Sequence, residues 1–188
     1  MKHPKIVTAI LTTAILLVLM IVIGVVVVYS GLPNVAASKP EGAAASWVLG
    51  TTVEHSVRRQ AAGMSLDLSR ADLAEGAEHY AGMCAMCHGG PGNEPPSGIG
   101  FGLNPAPPDL RKSASRWKAG EIYWIVEHGI KMTGMPAFGK THSPEQMTNI
   151  TAFIETMPTM TSDEYQHLIG PEPTASQPRG GESPHHHD

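Results

Sequence analysis

The sequence predicts an all-α domain preceded by one N-terminal transmembrane helix. An uncharged apolar run covers residues 6–29. Three later segments repeat their apolar residues at helical spacing, between residues that cap and stop helices. The pentapeptide Cys84-Ala85-Met86-Cys87-His88 closes the first of these segments. A formal net charge of −4 over 188 residues, with no long basic run or basic face, speaks against nucleic acid as a partner.

The membrane element comes first. Residues 1–5 form a short tail carrying Lys2 and Lys5, expected in the cytoplasm. Residues 6–29 continue without a charge, and Leu, Ile, Val and Met dominate from Ile15 to Val28. At 1.5 Å per residue the run spans about 36 Å, enough to cross a hydrocarbon core of about 30 Å with some tilt. A cleavable leader has an apolar core of only about 7–15 residues, so an uncleaved anchor is expected. Val35-Ala36-Ala37-Ser38 is the weak alternative as a cleavage site. The first charge beyond the run is Lys39, which leaves the N-terminus inside and everything after Tyr29 outside.

Residues 30–66 read as a linker, broken near its start by Gly31, Pro33, Pro40 and Gly42. A helix is expected within it over 46–61, with Leu49, Val53 and Val57 on one stripe. It is either a spacer or an interfacial helix with Trp47 at the headgroups.

Residues 67–160 form the expected globular domain. Ser69 precedes its first helix, Asp72 and Glu75 fall in the first turns, and Leu73, Ala77, Tyr80, Ala81 and Cys84 recur at helical spacing. Gly89-Gly90-Pro91-Gly92 stops that helix. The Pro- and Gly-rich stretch 93–110 then excludes a long helix or central strand. A loop of that length needs something to wrap around. A second helix is expected over 119–128, with Gly129 past its end. A third starts at the N-cap Ser143, with Pro144 at its first position, and ends before Pro158. Residues 161–188 are read as a short helical turn at 162–169 and then a polar, proline-rich disordered tail. Its His185-His186-His187 run is a weak metal binder or a natural or residual tail.

The pentapeptide carries the chemistry. Two thiols three positions apart can add to the two vinyl groups of one porphyrin, and the next residue, a histidine, then lies under the iron as a nitrogen ligand. One haem c on Cys84 and Cys87, with His88 as axial ligand, is the expected cofactor. A thioredoxin-like dithiol needs a βαβ context that the flanks lack. A structural zinc site needs four ligands, and there is no third cysteine. With both thiols used, no disulfide remains to place.

A low-spin electron carrier needs a second axial ligand. Met135 is the strongest candidate, in a loop where Gly134 allows close backbone approach and Pro136 fixes the chain beyond the sulfur. Its neutral thioether favours ferrous iron and raises the potential. Met132 is the neighbouring competitor, with hydrophobic packing as its other reading. Met83, Met86, Met147 and Met157 read as helix or core methionines, His142 as a turn residue and His79 as a solvent-facing position. The basic stretch Arg111, Lys112, Arg116 and Lys118 reads as a solvated rim, with an acidic redox partner as its other use.

Taken in order and spacing, four pieces carry a likeness: Gly76-Ala77-Glu78-His79-Tyr80, the Cys84–Gly89 motif, Pro107-Pro108-Asp109-Leu110 and Gly134-Met135-Pro136-Ala137-Phe138. From about Leu68 to Pro158 the chain resembles membrane-anchored bacterial single-haem class I c-type cytochromes, related to the cytochrome subunits of haem-copper oxidases. The likeness does not reach the anchor, linker or tail. It implies the class I cytochrome c fold wrapped round one haem, with Gly76 and Tyr80 against Phe153 where two helices cross. It also implies that a proline carbonyl, from Pro107 or Pro108, accepts the His88 Nδ1–H. By the same likeness Trp117, Tyr123 and Trp124 are haem-pocket or propionate contacts, though core packing explains them equally.

The expected function is single-electron transfer on the periplasmic side of a bacterial cytoplasmic membrane, between redox proteins such as a quinol–cytochrome c reductase and a terminal oxidase. A fixed electron-entry subunit of a larger respiratory oxidase or dehydrogenase complex is the alternative. A five-coordinate haem enzyme or gas sensor comes third, since it requires an open position where Met135 is expected to bind. No acid–base pair or nucleophile stands out, so independent catalysis is not expected.

Overall fold

A computed structural model of the chain describes residues 4–93 and 98–170. The expectations for the first residues of the tail, for Pro95 and Pro96, and for the disordered stretch 171–188 with its histidines lie outside the described residues. The chain divides into two units, meeting at Lys39 and Pro40.

The first unit is built on α1 (Pro4–Tyr29). Its only polar side chains beyond the first two residues and the final tyrosine are threonines, and Thr8 and Thr12 each donate to the carbonyl four residues back. None of its residues is buried. A helix this long, apolar all round and exposed is a candidate membrane anchor, because only lipid covers such a surface without leaving backbone groups unpaired.

Among the described residues the second unit is helical and contains no strand, the single isolated bridge joining Gly90 and Asn93. Its elements run α2 (Ala43–Gln60), α3 (Leu73–His79), a π-helical turn (Tyr80–Cys84), α4 (Ala85–His88), α5 (Leu110–Ser113), α6 (Ala119–His128), α7 (Pro144–Thr156) and α8 (Ser162–Ile169). Short 3₁₀ turns at Gly98–Gly102, Ala114–Arg116 and Phe138–Lys140 punctuate them.

Local sequence sets the helix ends. α3 starts three residues later than the Ser69 cap predicts, because Asp72 is the cap: its carboxylate accepts the N–H groups of Ala74 and Glu75. Ser69 is held in a turn instead, donating its N–H to Asp67. The α6 and α7 bounds fall where the sequence places them, and Ser143 with Gln146 closes a reciprocal capping box at the head of α7.

The core forms where α3 crosses α7. A Cβ on Gly76 would collide with the backbone oxygen of Asn149, so only glycine permits this approach. Buried Asn149 ties α7 to the head of α3, accepting the Asp72 N–H at 3.0 Å and donating to Glu75 at 2.7 Å. One turn on, the rings of Tyr80 and Phe153 meet at 5.1 Å, with Met147, Ile150 and Met157 buried around them.

Two segments read from sequence as lying outside the domain take part in its packing. In the linker stretch, Val57 and Ala61 are buried, and Met64 lies so close to α6 that a Cβ on Gly120 would meet its carbonyl oxygen at 2.5 Å. The α2 helix spans Ala43–Gln60, rather than 46–61, and only the end of its predicted stripe is buried; Leu49 is exposed. Near the other end of the chain, α8 is capped by Thr161 and sinks Tyr165 against Phe153, ring centroids 5.8 Å apart.

Candidate functional site

The site is assembled on the continuation of α3. Five residues from Tyr80 to Cys84 form a π turn, in which the Ala85 N–H reaches back to the Tyr80 carbonyl. Such turns are rare and concentrate at functional positions. Here the turn delivers Cys84 to the buried side of the helix, and α4 continues at once with Cys87 and His88 half-buried. Both thiols are free of any disulfide. Burial, with Cys87 alongside, pushes the Cys84 thiol up to about 12.

Gly89, in a positive-φ conformation (φ 66°), ends α4, and its carbonyl accepts the buried Tyr80 hydroxyl at 2.9 Å. The His88 ring is therefore carried at a helix end held by the core. Its Nδ1 lies 3.0 Å from the carbonyl oxygen of Pro108. A carbonyl only accepts, so Nδ1 carries the proton and Nε2 presents its lone pair. Burial holds the imidazole below its ordinary pKa, against the opposing pull of the Pro108 carbonyl. The result is a neutral, oriented nitrogen donor at ordinary pH. Between the two candidate prolines, the geometry selects Pro108.

Pro108 is fixed by the residues after it. Asp109 caps α5 through the Arg111 N–H and meets Lys112 at 3.1 Å. Burial pushes its carboxyl up, but hydrogen bonds from Lys112 and Arg111 outweigh this and hold it below the ordinary value.

The loop between α4 and α5 lies against the motif. A Cβ on Gly100 would fall 2.8 Å from the Cys87 carbonyl oxygen, and one on Gly98 would fall 3.1 Å from that of Met86. Leu103 then packs against Gly134, whose Cβ position is 2.7 Å from the leucine methyl carbon. The loop thus joins the Cys-x-x-Cys-His segment to the Met135 turn.

That turn is held at both its backbone groups. Met135 donates its N–H to Thr133 Oγ1 at 3.1 Å, and its carbonyl accepts the Ile130 N–H at 3.2 Å. Gly129 (φ 63°) is pressed under it, a Cβ there falling 2.6 Å from the Pro136 carbonyl. Met135 is half-buried, whereas its competitor Met132 is 91% exposed with φ at 62°. Sequence reasoning points to Gly134 and Pro136 and passes over Thr133 and the pressure on Gly129; a threonine two residues before the methionine is the available signal.

The remaining candidates make the following contacts. Trp117 is half-buried against the core, with the Arg58 guanidinium 5.9 Å from its ring centroid. Tyr123 packs on the core, and Trp124 stacks on His128 at 4.7 Å. Among the other methionines, Met147 and Met157 are core residues and Met86 is half exposed. His79 is not solvent-facing as expected: it is half-buried, edge-on to His142 at 5.6 Å and next to Gln146.

The donor set of two thiols, an oriented imidazole and a loop thioether fits a covalently held haem c. Among the described residues no group of three or more His, Cys, Asp or Glu is placed to hold a metal ion. Fold and site together define a single-haem c-type cytochrome domain. Comparison with known proteins agrees. Residues 71–154 match the family described as cytochrome C oxidase, cbb3-type, subunit III. Over 88 residues the chain is 33% identical to cytochrome c6 of Synechococcus elongatus, covering 45% of this chain and 88% of that protein. It is equally similar to cytochrome c6 of Thermosynechococcus vestitus, covering 69% of that protein. No solved structure matches significantly. The chain belongs to the class I c-type cytochromes, carries haem c and transfers electrons.

Proposed function

We propose that the chain is a membrane-tethered electron carrier whose haem is bonded to Cys84 and Cys87 and ligated by His88 and Met135. The observation that carries this is the 3.0 Å contact from His88 Nδ1 to the Pro108 carbonyl, which reserves Nε2 for the iron. Haem c held there supplies one iron that cycles between ferric and ferrous states. The protein's part is to keep both ligands still, so that little rearranges when the charge changes. His88 is fixed through Pro108 and Gly89, and Met135 through Thr133, Ile130 and Gly129. Trp117, steadied by Arg58, belongs to the pocket wall in this reading.

In this reading 6–29 is the anchor and the haem domain lies in the periplasm, while α2 and α8, expected as linker and tail, join the 67–160 core. The partners are a redox donor and acceptor, of the kind of a quinol–cytochrome c reductase and a terminal oxidase. A fixed subunit of a larger oxidase is the second reading, supported by the family match over 71–154. A complex that survives gentle detergent extraction at fixed stoichiometry favours that reading.

The test of the ligand set is an absorption spectrum of the membrane protein, oxidised and reduced. A weak far-red sulfur-to-iron band that disappears in Met135→Ala is expected. A band unaltered in that variant assigns the role to another residue.

A further inference from the structure

The helix α8 lies beyond residues 71–154, and nothing in the electron-transfer reading uses it. Yet it packs on the turn that ends the haem motif. The Tyr165 ring is buried against Gly90, a Cβ on which would lie 3.2 Å from the ring carbon Cε1. Ser162 closes on Gly92, whose Cβ position is 2.8 Å from the serine Oγ. The Tyr165 ring also meets Phe153, which in turn holds Tyr80, the residue bonded to the Gly89 carbonyl. Gly90 and Asn93 exchange backbone hydrogen bonds at 2.7 and 2.9 Å, so the turn moves as one piece. His88 stands immediately before it.

We propose that Tyr165 is a positioning residue for the haem. It braces the Gly89–Asn93 turn from the α8 side, as Tyr80 braces it from α3, and so fixes the end of α4 that carries His88. The sequence supports a built device: the two residues facing α8 are glycines, and a side chain at either would push it away. A capping box from Thr161 and Glu164 stiffens the short helix that presents the ring. Loosening this brace lets water reach the motif, and water stabilises the more highly charged ferric state. The proposal rests on His88 as an axial ligand and does not depend on Met135.

The test uses the full chain in detergent and reads the ferrous-to-ferric ratio at a fixed redox poise. Tyr165→Leu is expected to lower that ratio roughly tenfold, about 59 mV for a one-electron couple. Gly90→Ala should act in the same direction and more weakly, because its methyl displaces the ring while the tyrosine remains. Tyr165→Phe should match wild type. Val57→Ala opens a cavity between α2 and α6 and should leave the ratio unchanged. Where Tyr165→Leu fails to accumulate as haem protein, Gly90→Ala decides. Unchanged ratios in Tyr165→Leu and Gly90→Ala overturn the proposal, as does an equal shift in Val57→Ala. A wild-type spectrum without the far-red band sinks the Met135 assignment alone, and the Tyr165 comparison is read as before.

Discussion

In the proposed ligand set both ring nitrogens of His88 have definite tasks, Nδ1 toward the Pro108 carbonyl and Nε2 toward the iron. This division sets its pH dependence. Burial lowers the folded-state pKa, so the folded protein binds fewer protons here than the unfolded chain does. Stability from this residue is therefore complete above the unfolded value near 6.5 and is lost as pH falls from there toward the depressed folded value. Since a proton must displace the iron from Nε2, the low-spin spectrum should hold at neutral pH and give way only on acidification, and Pro108→Ala, which keeps the carbonyl, should trace the same curve. A transition that weakens with rising pH over this range contradicts the assignment. The proposed choice between methionines rests on the same scale. Met132, 91% exposed, has no fixed direction, whereas Met135 is tied at its N–H and its carbonyl. Met132→Ala should leave the far-red band in place while Met135→Ala removes it.

The α3–α7 crossing is the element on which the rest depends. Gly76 is a poor helix former, costing about 1 kcal/mol relative to alanine in an open helix. Here the contact with the Asn149 backbone reverses the sign, since a methyl driven into a carbonyl oxygen forces the helices apart. Gly76→Ala should destabilise the haem domain by about 3 kcal/mol, the upper range for overpacking. Urea unfolding of the two proteins measures this, and an alanine variant of equal or greater stability would show that the crossing is looser than described. The same logic applies to the turn after α6. Gly129→Ala adds strain at φ 63° and presses on the Met135 and Pro136 carbonyls, so it should broaden or abolish the far-red band without loss of covalent haem.

At the scale of the whole molecule, two units with different surfaces share one chain. α1 has no buried residue and no charged side chain after Lys5, while Val57, Phe153 and Tyr165 sit in a compact interior. Full-length protein should stay with membranes through a high-salt wash. Residues 40–188, exported behind a cleavable leader in place of 1–39, should be water-soluble with an unaltered spectrum. A mature N-terminus found just after Ala37 would instead make the apolar run a leader.

The all-α class, the candidate membrane helix, the haem motif and the ends of α6 and α7 are legible in the amino-acid order alone, because each depends on residues close in the chain. Spacing of two thiols, an uncharged run and a Ser-Pro-x-Gln cap are all local signals. The helix start at Asp72 rather than Ser69 is not legible there, since both residues carry cap chemistry and only the folded backbone shows which one accepts the N–H groups. Other features exist only once the chain has folded. Pro108 and not Pro107 faces His88, Thr133 and Gly129 hold Met135, Asn149 ties α7 to α3, and α2 and α8 join the core. In each case the partner is distant in sequence or one of two similar neighbours. Periodicity says which side of a helix is apolar, but not which atom of another segment arrives against it; close packing makes that choice.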